Sequence, residues 1–334
     1  MEGWDVRFLP FSTQDFSGTY ARVDLPEFSV AQKTYRSCSL HISGKPPQTL
    51  VPVILPAKIE RAFRCQGRRM TDGDLVLVDR AQEIDLIIEG GVEATVVYLT
   101  EAVHLAVLGG LHGPESAAAA TAPVHVAEGP GVALLKTRLD ELFRCDPASP
   151  KPGLAKAALS REIASLLATA ISAASHNAPR RPSGPFQQKA RYARRARDVM
   201  EAKRHEPLAL AELSTEVGVS IRTLQYAFQD YFGVSPGRYH TLRRLAGARA
   251  ELKRGDPAEA SVTDIATHWG FFHLGRFSRT YGKYFGEPPS RTLAQREPRV
   301  FRGQRAPVAR QPQPNRALTP RPSAAGLTDN ARRR

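Results

Sequence analysis

The sequence predicts a multidomain α+β chain: a β-rich first half closed by two helices, an all-α second half, and a disordered, Arg-rich tail. Three observations predict it. Apolar residues sit in short alternating, β-branched runs from about Asp24 to Leu99, then recur at spacings of three and four after Pro130. One unit is written twice between Leu213 and Pro289. The charge is also unevenly placed. The 47 Lys+Arg against 33 Asp+Glu give a formal net charge of +14. Residues 1–179 hold 17 basic and 20 acidic side chains, residues 180–297 hold 21 and 12, and residues 298–334 hold nine Arg against Asp329 alone. The whole surplus therefore lies in the C-terminal half.

At 334 residues a single core gives way to separate domains, and an apolar share of 42% is enough to fill them. Cys38, Cys65 and Cys145 are too few and too widely spaced for a disulfide scaffold or a Cys-rich zinc module. The opening MEGWDVRFLP lacks the basic-then-apolar order of a signal peptide, and no apolar run reaches membrane-span length. The expectation is a soluble, cytoplasmic chain with no membrane partner, whose positive surplus needs an acidic one.

In the first half, strands are predicted at Thr49–Leu55, Leu75–Asp79, Glu83–Ile88 and Ala94–Leu99. The turn signals Gly44-Lys45-Pro46-Pro47, Gln66-Gly67, Asp72-Gly73-Asp74 and Gly90-Gly91 separate them. Short antiparallel strands at this spacing suggest a sandwich or small barrel. Val132, Leu135, Leu139, Leu142 and Phe143 mark a first helix; Leu154, Ala158, Ile163, Leu166, Leu167 and Ile171 mark a second. Metal-dependent barrels bring three or four ligands to one ion. Here His41, His104, His112 and His125 stand alone, without paired spacing. No Gly-x-Ser-x-Gly and no supported Cys/His pair occurs either. The first half, residues 1–175, is therefore expected to bind a small molecule or to dimerise, without catalysis, metal or cofactor.

His176, Asn177, Pro179, Pro182, Ser183, Gly184 and Pro185 break helix and strand alike, which makes residues 176–186 a linker. Residues 187–297 form the next domain. Its first helix, Gln187–Lys203, carries Arg191, Arg194, Arg195 and Arg197, to lie along phosphates or face solvent. The repeat follows. Leu213-Ser-Thr-Glu-Val-Gly218, Leu224, Phe228, Phe232-Gly233 and Pro236 match Ile265-Ala-Thr-His-Trp-Gly270, Phe277, Tyr281, Phe285-Gly286 and Pro289. The offset is 52 at the first anchors and 53 from Leu224/Phe277 onward, so one residue has entered the turn after Gly270.

Each copy reads as helix, Gly-containing turn, second helix, the grammar of a helix-turn-helix. Ser220 and Ser261 are expected to cap helices. Leu224 and Phe228 face inward, which leaves Ser220, Arg222, Thr223, Gln225 and Tyr226 outward. In the second copy Phe277 and Tyr281 face inward and His273, Arg276, Ser278 and Arg279 outward. The DNA major groove admits one α-helix, where Arg can bond guanine, Gln can bond adenine, and Thr or Tyr can touch a thymine methyl. Between the copies a helix is predicted over Pro236–Arg254, ended by Gly255-Asp256-Pro257. It would hold the two recognition helices for successive major-groove faces. Residues 298–334, with Phe301 as the only aromatic, cannot bury enough surface to order and are expected to be a disordered basic tail.

Residues 187–296 resemble the DNA-binding domain of the AraC/XylS family of transcription regulators. The likeness is carried by Arg244-Leu245, Ala248-Arg249 and Leu252, then Asp264-Ile265-Ala266, Gly270-Phe271, Phe277-Ser278-Arg279 and Phe285-Gly286 with Pro289. Gly73-Asp74-Leu75-Val76-Leu77-Val78-Asp79 is similar to the turn and strand of that family's cupin-like β-barrel domain. The resemblance implies a cupin-like first domain that binds an effector or dimerises, followed by a double helix-turn-helix. It makes Arg222, Gln225, Tyr226, Arg276 and Arg279 candidate DNA contacts, with Arg244 and Lys283 at the DNA backbone. The implied protein is a sequence-specific activator on double-stranded promoter or operator DNA, nucleoid-associated, homodimeric, with RNA polymerase and a small-molecule effector as further partners. It would not be an enzyme. The rival expectation is a metal-independent cupin-like ligand-binding or enzymatic domain carrying a DNA-localising module.

Overall fold

Two long strands organise the first half in the computed structural model. β3 (Phe28–Lys45) and β8 (Ile84–Thr100) pair antiparallel along most of their length. β1 (Asp5–Pro10) and β2 (Ser17–Asp24) pair with successive parts of β3, and β4 (Leu50–Ile59) and β5 (Ala62–Cys65) with successive parts of β8. β6 (Arg68–Arg69) closes a hairpin with β5, and β7 (Leu75–Leu77) lies between β4 and β9 (His125–Val126). The structure describes residues 5–12, 17–25, 27–45, 49–78, 83–104, 125–126, 129–144, 152–177 and 185–295. The tail expected at 298–334, most of the linker, His112 and Cys145 lie outside the described residues. Everything described belongs to one unit, Met1–Arg296.

The Gly90-Gly91 pair, expected to end a strand, is not a turn. β8 runs through it with Gly90 at φ 88°, next to a register shift between Tyr35 and Cys38 on β3. A residue without Cβ enters that conformation without a clash, so the strand bends instead of stopping. The sheet curls there into a half-barrel with two wings. Ala31, Leu40, Ile42, Phe63, Ile88 and Val96 fill its inner face. The outer face of one wing, with Val30, Val97 and Leu99, is covered by α1 (Pro130–Arg144) and α2 (Pro152–Asn177) through Leu135, Leu139 and Ile163. The outer face of the other wing gives Leu9, Phe11 and Ile87 to the core of the helical domain. Strands covered on both faces need apolar side chains on both, hence the unbroken burial of Val51–Leu55.

The helical domain comprises α3 (Pro185–Ala202), α4 (Leu210–Val217), α5 (Ile221–Phe232), α6 (Pro236–Arg254), α7 (Val262–His268), α8 (Leu274–Phe285) and α9 (Pro289–Ala294). α6 has the bounds that its spacing predicts. α2 continues through Asn177 and α3 starts at Pro185, so helix reaches into both ends of the expected linker. Among the described residues no helix is long and apolar enough to cross a membrane.

Candidate nucleic-acid interface

The sequence repeat is also a backbone repeat. α5 and α8 are each 12 residues long and end on glycines with the same φ of 73°, Gly233 and Gly286. The inserted residue sits where the offset predicts it. Val219-Ser220 joins Gly218 to α5, whereas Phe271-Phe272-His273 joins Gly270 to α8. Ser220 Oγ accepts from the Thr223 backbone N–H at 3.1 Å and Ser261 Oγ from that of Asp264 at 3.0 Å, the two caps expected. Leu224, Phe228, Phe277 and Tyr281 are buried, which fixes the opposite faces outward. Ser220, Arg222, Thr223, Gln225 and Tyr226 are exposed on the first unit, and His273, Arg276, Ser278, Arg279 and Lys283 on the second. The Arg222 guanidinium lies 5.4 Å from the centroid of the Tyr226 ring. Neither α5 nor α8 has an acidic residue in its first turn, so both helix N-termini keep their positive dipole ends uncompensated.

Arg244 departs from its expected place at the DNA backbone. It is 7% exposed; Nε donates to the Trp269 carbonyl at 2.7 Å and Nη2 to that of Gly270, with the guanidinium 4.3 Å from the Phe271 ring centroid. Those carbonyls end α7, so Arg244 ties α6 to the turn of the second unit and cannot reach a phosphate. Tyr281 Oη donates to Thr292 Oγ1 at 2.8 Å, and Thr292 Oγ1 to Glu287 at 2.8 Å, which secures α9 under α8.

Residues 213–295 match the family model described as a helix-turn-helix domain. Over 100 residues the chain is 45% identical to a probable thc operon regulatory protein of Rhodococcus erythropolis, 30% of each chain. Over 134 residues it is 37% identical to the HTH-type transcriptional regulator GbdR of Pseudomonas aeruginosa, 40% of this chain and 34% of that one. The chain thus spans about a third of the length of these curated relatives. A crystal structure of a probable AraC family transcriptional regulator from Rhodopseudomonas palustris is 35% identical, with 32% of this chain and 98% of that one covered and a TM-score of 0.29. The repeated domain is of the AraC/XylS type.

The AraC/XylS-type domain is joined to the sheet by a buried polar cluster that the sequence alone did not single out. Asp85 on β8, 1% exposed, stands 2.8 Å from His41 Nε2 on β3. It accepts from Arg197 Nη1 of α3 at 2.9 and 2.8 Å through its two oxygens, and from Tyr231 Oη of α5 at 3.0 Å. Tyr239 Oη of α6 lies 3.3 Å from His41 Nδ1. Burial works to raise the Asp85 carboxyl, but the hydrogen bond from His41 and the charge of Arg197 outweigh it and hold the carboxyl below the usual carboxylate range. Arg197, read as phosphate-facing or solvated, is therefore an internal ion-pair partner. The only sequence signal was an Asp between Ile84 and Leu86, in a run from Ile84 to Ile88 that is otherwise apolar. His41, which stands alone by spacing, belongs to this cluster. The side chain of His125 lies outside the described residues.

β8 also lines a cavity. Ile84, Leu86 and Ile88 face a mostly apolar space of about 50 Å³, together with Phe8, Lys33 and Tyr98. Burial pushes the Lys33 amine down to about 8. Asp85, Ile87 and Glu89, the alternate residues of that strand, face the AraC/XylS-type domain, since Ile87 joins its core and Glu89 pairs with Arg64 beside Gly233. One strand thus separates the cavity from α5.

Proposed function

We propose that this chain is a sequence-specific DNA-binding transcriptional regulator, acting as an activator. Two repeat-related helices, α5 and α8, carry this reading. Each presents basic and polar side chains outward over a buried aromatic anchor, and each begins with a positive helix end. In this reading Arg222, Gln225, Arg276 and Arg279 meet base edges, Thr223, Tyr226, His273 and Ser278 complete the two faces, and Lys283 meets the phosphate backbone. Ser220 serves as the cap that shapes the first helix. The division of labour is the one given by the sequence: residues 1–175 for effector binding or dimerisation, 187–297 for DNA. GbdR is named as a transcriptional regulator and the XylDLEGF operon protein of Pseudomonas putida, 41% identical over 26% of either chain, as a transcriptional activator, which supports the same reading.

A small-molecule effector would act through β8, whose inner side chains line the cavity while its outer ones touch α3 and α5. A homodimer formed through α1 and α2, with RNA polymerase as the downstream partner and the cytoplasm as the compartment, completes the proposal. Fluorescence anisotropy of the full chain on duplexes from its own promoter region tests it. Log affinity is expected to fall with log salt by about 0.9 for each phosphate neutralised. Arg222→Ala or Arg279→Ala is expected to cost about 1–3 kcal/mol and to relax the preference at one base pair. Equal affinity for unrelated duplexes at matched salt overturns the claim of sequence specificity.

A further inference from the structure

Apolar side chains are costly to expose, so where they cluster on a surface is informative. Eight large hydrophobic residues are exposed among the described residues, and four of them lie on or just before the two recognition helices: Ile221 at 41% and, one turn further on, Tyr226 at 54% on α5, Leu274 at 37% on α8, and Phe272 at 65% just before it. Ile221 and Leu274 occupy the same position of the repeat. Each is the first residue of its 12-residue helix, and they are 53 residues apart. Both copies thus leave a branched aliphatic side chain in water at a position where the preceding Ser220 or His273 sets the helix start. Neither is packed into the core cluster that holds Leu224 and Phe277.

The first turn of a recognition helix is the part that meets base edges. The only apolar group on the major-groove edge of any base is the thymine methyl. Arg222 follows Ile221, and Arg276 and Arg279 follow Leu274, so each apolar spot lies beside positive charge that suits a polyanion and disfavours an apolar protein partner. We propose that Ile221 and Leu274, supported by Tyr226 and Phe272, read thymine methyl groups, so that each half of the bound site carries a thymine at a fixed place opposite the start of its helix. This inference rests on the DNA-binding reading and adds a substrate chemistry to it.

The test is to select duplexes from a random library with the full chain, then resynthesise the enriched site with deoxyuridine in place of thymine. That change removes only the methyl and leaves every hydrogen-bonding group in place. Each contacted thymine is expected to cost about fourfold in affinity when replaced, the value of one buried methyl. Leu274→Ala is expected to abolish the difference at one thymine and Ile221→Ala at the other, while both variants keep the salt dependence. Enrichment of a site whose affinity does not change with deoxyuridine overturns this inference and leaves the DNA reading standing. A library with no enrichment overturns both. A change in the sedimentation of the free protein on Ile221→Ala or Leu274→Ala, with the deoxyuridine effect intact, assigns the patch to a second copy of the chain and also overturns the inference.

Discussion

Asp85 is a charged group with almost no water and three different partners, and its removal has a predictable sign. Without it His41 Nε2 and Arg197 Nη1 lose their acceptor, and Tyr231 Oη keeps only Gln66 Oε1 at 3.2 Å. Taking one member out of a buried pair costs about 3–5 kcal/mol, because the desolvation of the others is no longer offset. Asp85→Ala is expected to lower stability by that amount in urea unfolding. The pH dependence follows from the same contacts. A carboxyl held below its unfolded value contributes stability that is complete above the unfolded carboxylate range, near pH 4, and is lost as pH falls through the folded value. The urea midpoint of the unmodified chain should therefore drop on acidification more steeply than that of Asp85→Asn. Parallel curves for the two would show that Asp85 is not the group involved. Arg244 follows the same logic of a buried cation held by neighbours, here two carbonyls and an aromatic face. Its spacing on α6 gave no hint of that, since an exposed and a buried Arg look alike in a helix that packs on several sides.

Whole elements were legible where their determinants are local. The Pro236 start and Arg254 end of α6, the Ser220 cap, the Gly218 turn at φ 79° and the inserted residue before α8 could all be read from neighbours a few residues apart. β1, β2 and the full length of β3 were not, and β8 was split in two at Gly90-Gly91. Strand pairing is set by partners far along the chain, and a glycine pair marks a bend as readily as an end. The outward residues of α5 and α8 were legible because helical period alone sorts faces. Asp85 and His41 were not, because the surface that buries them comes from another domain. A close contact between elements was hidden in the same way. A Cβ on Gly247 would fall inside the ring of Trp269, whose Nε1 donates to Glu251 at 2.6 Å and so cannot swing aside freely. In an isolated helix Gly247→Ala would gain about 1 kcal/mol. Here overpacking should prevail and destabilise by about 1–3 kcal/mol. Urea titration followed by tryptophan fluorescence reads the sign directly, and a gain in stability would mean that α6 and the second turn are less closely packed than described.

At the scale of the molecule, the sheet and the AraC/XylS-type domain share a core as well as a polar cluster. Leu9, Phe11 and Ile87 sit among Phe228, Phe232 and Tyr239, with Phe11 and Tyr239 rings 6.0 Å apart edge to face. Arg238 donates to the Phe11 carbonyl at 2.6 Å, and Tyr284 Oη donates to that of Pro10 at 2.7 Å, so the end of β1 touches both the connecting helix α6 and the second helix-turn-helix unit. Three buried side chains at about 1.5–3 kcal/mol each make separate unfolding of the two parts cost several kcal/mol, before any contribution from Asp85. Chains with two domains often unfold in separate steps. This one is expected to unfold in a single step, with coincident midpoints for Trp269 fluorescence, isolated in a Trp4→Phe background, and for the far-ultraviolet circular dichroism of the whole chain. Phe11→Ala combined with Ile87→Ala removes about 5–10 kcal/mol of shared packing and should separate the two midpoints. The same coupling has a consequence for regulation. Any small molecule that binds the cavity inside the half-barrel stabilises the sheet by mass action, and with a shared core it must raise the midpoint reported by Trp269 as well. In the double variant the rise should be confined to the sheet. Two separate transitions in the unmodified chain would mean that the contact is too weak to carry a signal from β8 to α5.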